Sequence, residues 1–95
     1  MKNKVTREKI EKYLKLTKTA LKKAEQSGCR KDLKPFRKDF IKMVQAYVSD
    51  SEHFLKNQDL VNSFAAINYA HGWLDAGARL EIFKVKDSTL FAVDD

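Results

Sequence analysis

Apolar residues recur at intervals of three and four along most of the chain, and this spacing predicts three helices. The first spans about 7–27. Ile10, Tyr13, Leu14, Thr17, Ala20, Leu21 and Ala24 share one face, with Thr6 as N-cap and Gly28 as the stop. The second, about 35–57, opens at Pro35, where a missing N–H is harmless, and carries Phe36, Phe40, Met43, Val44, Tyr47, Val48, Ser51, Phe54 and Leu55. Asn57, Gln58 and Asp59 break the pattern, and Asp59 is placed to cap a third helix over about 60–82. Each rod is roughly 30 Å long at 1.5 Å per residue, so the expected fold is all-α, an up-and-down three-helix bundle. Beyond residue 84 the helical period is lost. Residues 84–95 are expected to form a short extended C-terminal tail that packs back through Leu90 and Phe91, or frays at Asp94 and Asp95.

The third helix differs from the other two, because Leu60 to Ala78 holds one formal charge, Asp75, in a chain that is 34% charged. On a wheel, Leu60, Phe64, Ile67, His71, Leu74, Ala78 and Ile82 form the core stripe, and Asn68, Gly72, Asp75 and Arg79 a small or polar row. An aromatic face follows, with Asn62, Ala66, Tyr69, Trp73 and Leu80. Two neighbouring helices cover the stripe and part of one flank, so the aromatic face is left as surplus apolar surface and is the candidate interface. A helical glycine costs about 1 kcal/mol relative to alanine, and close approach of a neighbouring helix is the expected reason for Gly72.

Composition narrows the class. Ninety-five residues suit one domain, and three glycines with one proline are too few for an all-β chain of tight turns. Cys29 is the single cysteine and excludes an internal disulfide framework. The Leu60–Ala78 stretch approaches membrane-spanning length, but Asn62, Asn68, His71 and Asp75 argue against insertion; a soluble cytoplasmic protein without membrane partners is expected.

Charge divides the chain unevenly. Residues 1–38 hold fourteen Lys and Arg against four acids, a net of +10, and residues 39–95 hold five against nine, a net of −4. Lys15, Lys18, Lys22, Arg30, Lys31, Lys34, Arg37 and Lys38 therefore stand as candidates for non-specific nucleic-acid binding. No recognisable reading element or set of interleaved aromatics accompanies them, and a solvated lysine face is the simpler reading.

Candidate chemistry centres on His71, with Asp75 one turn on and Arg79 one turn further. The spacing permits a general-base pair beside an anion site, yet no nucleophile or second carboxylate completes a set. A structural polar network of Asn68, His71, Asp75 and Arg79 is expected instead. His53 and His71 sit on different helices and one cysteine supplies no thiolate set, so neither a metal nor a cofactor is implied.

The segment SDSEHFLKNQDLVNSFAAINYAHGWLDAGARLEIFKV, Ser49–Val85, resembles an archaeal family known as domain of unknown function 357, most specifically through Phe64–Gly77. The resemblance implies a small three-helix bundle from an archaeon, with no established activity and no catalytic residues to carry over. The expected role is a non-enzymatic helical module that binds itself or another protein, with nucleic-acid binding through the basic half as the alternative.

Overall fold

The computed structural model describes residues 4–94; Asp95, named above at the fraying end, lies outside them. Three helices account for most of the described chain: α1 (Arg7–Gln26), α2 (Lys34–Lys56) and α3 (Leu60–Arg79), with one 3-10 turn, Lys31–Leu33, between the first two. They form the all-α bundle expected from the spacing. α3 is the central element, sharing its largest interface with α2 and a second with α1.

Local chemistry sets the helix ends. The Thr6 hydroxyl accepts from Lys9 N–H at 3.1 Å to open α1, and Asp59 Oδ1 accepts from Asn62 N–H at 3.1 Å to open α3. α1 closes at Ser27, whose N–H and hydroxyl both donate to the Ala24 carbonyl, one residue before the expected glycine stop. α2 and α3 end alike. Gln58 (φ 61°) and Glu81 (φ 62°) adopt the left-handed conformation, and bonds from Asp59 N–H to Phe54 O (2.8 Å) and Ile82 N–H to Gly77 O (2.9 Å) complete the two closures. α3 therefore stops at Arg79, three residues short of the expected end, because Glu81 turns the chain back.

That turn positions the core. Phe83 folds over Gly77, where a Cβ would lie 2.5 Å from two of its ring carbons, so glycine is required by the seat of this ring. Phe83 joins Ile10, Ala20, Val44, Ile67, Leu74 and Ile82 in the solvent-free interior. The tail beyond it is turned rather than simply extended, and it packs back through Leu90 and Phe91, both buried. One expected core residue lies elsewhere: Phe36, in the first turn of α2, is 53% exposed, because the next residue, Arg37, takes the position that faces the end of α1.

A single guanidinium fastens the two ends of this arrangement. Arg37 donates to the carbonyls of Ala24 (2.9 Å), Glu25 (3.0 Å) and Ser27 (3.0 Å) at the end of α1, and to Ile82 O (2.9 Å) after α3. It also lies over the Phe83 ring at 5.5 Å. The first three lie at the C-terminus of α1, where carbonyls lack intrahelical partners and a cation is favoured.

Candidate interaction surface

The polar row of α3 does not form the network expected of it. His71 sits between α1, α3 and the tail, with Nδ1 3.0 Å from the hydroxyl of the buried Thr17 and Nε2 2.7 Å from Leu90 O. A carbonyl only accepts, so Nε2 carries the proton, and in the neutral ring Thr17 donates to Nδ1. Asp75 Oδ1 lies 3.7 Å from Nε2 and accepts from Ala92 N–H at 2.8 Å. Among the described residues no hydrogen bond brings Asn68 or Arg79 into this group; both are exposed. His71 and Asp75 are tail anchors, beside a cleft of about 240 Å³ between α1 and α3 that is also bordered by Tyr13, Leu16 and Ile67. Among the described residues every buried side-chain nitrogen and oxygen has a hydrogen-bond partner, and no His, Cys, Asp and Glu group is placed to hold a metal ion.

The basic residues divide between structural and solvated roles. Arg37 is the clamp described above rather than a free phosphate contact. Arg30 pairs with Asp32 through two bonds and Lys18 with Glu52. Lys15, Lys22, Lys31, Lys34 and Lys38 are exposed, the first two on α1 and Lys34 and Lys38 on α2. Among the described residues one carboxylate is strongly perturbed: the Thr89 hydroxyl, then Lys23 and the Thr89 N–H, hold Asp87 below the usual range, at about 2.

The aromatic face is only partly surplus. Ala66 is buried in the core, and Trp73 is half-buried, with its ring edge-on to Phe40 at 5.0 Å. Tyr69 is 52% exposed while leaning on Tyr47 at 4.5 Å, and Asn62 and Leu80 are exposed. The free side of α3 is rotated from the one expected and is centred on Ala65, Tyr69, Gly72 and Ala76, all exposed. Its exposed residues from Val61 to Ala76 include no charge. Two shallow hollows adjoin it, one bordered by Asn68, Tyr69, Gly72, Trp73 and Ala76, the other by Tyr47, Asp50, Phe54, Asn62 and Ala65.

Gly72 is the odd residue on this face. A Cβ built there meets nothing within 4 Å, so close packing inside the chain does not explain it. The two helical glycines have opposite circumstances: Gly77 is filled by Phe83, and Gly72 looks onto open space.

A profile of the family described as Protein of unknown function (DUF357) matches residues 12–83. The chain belongs to that family. No curated protein matches the chain, and no solved structure does. The DUF357 match takes in α2, all of α3, Arg37 and the Gly77–Phe83 seat, whereas the tail residues held by His71 and Asp75 fall beyond it. Among the described residues of this DUF357 protein no helix is long and apolar enough to cross a membrane.

Sequence reasoning missed Ala65, Ala76 and the outward position of Gly72. Their signal was present as a 3,4 repeat with Tyr69, but the larger rings of Tyr69 and Trp73 drew the face toward α2.

Proposed function

We propose that this DUF357 protein is a helical interaction module that docks another helix along the outward face of α3. The observation that carries the reading is Gly72: an exposed helical glycine with nothing above it, in the middle of an uncharged face four turns long. Such a residue lowers helix stability by about 1 kcal/mol relative to alanine and returns nothing within the chain. A helix from outside, approaching closely between Tyr69 and Ala76, gives it a purpose.

The test is thermal unfolding of Gly72→Ala at sub-micromolar concentration, where associated states are negligible. The expected result is a gain of about 1 kcal/mol, a melting temperature several degrees higher. A destabilised Gly72→Ala would show that the glycine serves the fold itself and would remove the basis for a docking face.

A further inference from the structure

From the residues on that face we infer that the docked helix is α3 of a second copy, running antiparallel about a two-fold axis that passes between Tyr69 and Gly72. This rests on the interaction-module reading and names its partner. The outward residues Asn62, Ala65, Tyr69, Gly72, Ala76 and Arg79 are separated by 3, 4, 3, 4 and 3 positions, a series that reads the same in either direction. A two-fold interface requires this kind of self-match, since every contact occurs twice with the roles exchanged.

The side chains match in size as well as in spacing. Pairing about that axis places Tyr69, the largest exposed ring on the face, against the second copy's Gly72, where space above the backbone is open. Ala65 meets Ala76, and the small pair lets the backbones approach. At the ends, Arg79 meets Asn62, whose Nδ2 donates to Asp59 Oδ2 at 2.7 Å. The guanidinium of one copy therefore arrives at a carboxylate of the other, twice over. Arg79 and Asp59 mark the ends of a seam whose outward residues between them carry no charge, Asp75 at its flank being engaged by the Ala92 amide, and only the antiparallel sense brings opposite charges together; a parallel pair sets Arg79 against Arg79 and Asp59 against Asp59. One helix pair is a small interface, so the dimer is expected at micromolar rather than nanomolar concentration.

Directed cross-linking tests both partner and direction. In the full chain with Cys29→Ser, Ala65→Cys and Ala76→Cys are prepared separately, one of them labelled with nitrogen-15, and oxidised alone and mixed. The inference expects a disulfide in the mixture between one chain of each kind, and little in either variant alone. Dimers of each variant with itself would mean a parallel pair and would overturn the inference. Absence of cross-linking would overturn it too, as would a monomer throughout sedimentation equilibrium up to high micromolar concentration. A charge reversal gives a second measure: Arg79→Glu should weaken association at least fivefold, and adding Asn62→Lys to the same chain should restore it; association unaffected by Arg79→Glu counts against the register. If cross-linking fails while Gly72→Ala still raises stability, the docking face remains and its occupant is a different protein.

Discussion

Replacing Arg37 by alanine should be among the most damaging single changes at any charged residue of this protein. Four carbonyls accept from its guanidinium at 2.9–3.0 Å, three from the last turn of α1 and one from Ile82. They are not equally vulnerable. Ala24 O keeps the Ser27 N–H and hydroxyl, and water replaces the guanidinium at the exposed Glu25. Ile82 is 1% exposed, and its carbonyl would be left without this donor. Losing a charge-assisted bond to such a group costs about 1.5–3 kcal/mol. The contact with the Phe83 ring and the favourable placement at a helix C-terminus add roughly 0.5–1 kcal/mol each, reduced because Arg37 is half-exposed. The expected loss is therefore about 3 kcal/mol, or on the order of 15 °C in melting temperature for a chain of this size. Urea unfolding followed by circular dichroism measures it, with an unchanged m-value as the check that the transition remains two-state. Arg37→Lys should recover less than half, since one ammonium cannot span the carbonyls of both segments. A loss below about 1 kcal/mol, or a lysine variant equal to the native chain, would refute the clamp.

Three further outcomes follow from neighbouring features. Gly77→Ala should destabilise by about 1–3 kcal/mol, because its Cβ collides with the fully buried Phe83 ring; compared with Gly72→Ala, the same substitution on one helix gives opposite signs, and equal effects would contradict the packing described. His71→Ala should release the tail while the three helices persist, read as faster hydrogen exchange at the Ala92 amide and a melting temperature lowered by several degrees; an unchanged Ala92 amide would show that the tail is held otherwise. Asp87 has a folded pKa of about 2, below its unfolded value near 4, so its stabilising effect is complete above about pH 4 and is lost as the pH falls toward 2. Carboxyl NMR titration should find that low midpoint and move it upward in Thr89→Val, and an ordinary midpoint in the native chain would exclude the Thr89 and Lys23 contacts.

Helix positions and the two side-chain caps were legible because their causes are local. Thr6 and Asp59 act on backbone three residues away, and the stripe through Ile10, Leu14, Thr17 and Ala20 needs only the helical period. Arg37 was not legible, since it stands in a run of bases that all read as solvated, and its acceptors are backbone carbonyls that leave no trace in residue type. The end of α3 was hidden for a similar reason: a left-handed closure usually announces itself with glycine, and here the position is Glu81. Gly72 and Gly77 look alike in sequence, and only the path of the chain after α3 decides which of them is filled. His71 was expected in a polar network along one helix face, but its hydrogen-bond partners are Thr17 and the tail backbone, more than fifty and nearly twenty positions away, in place of Asn68 and Arg79.

The return of Leu90 and Phe91 to the bundle has a consequence for biosynthesis. Until position 91 has cleared the ribosome, the interior formed by the three rods has a missing wall, and the nascent chain exposes grease that the finished protein hides. Closure thus waits on residues that follow the third rod, leaving an interval between the emergence of α3 and the arrival of Phe91 in which chaperones or neighbouring nascent chains have access.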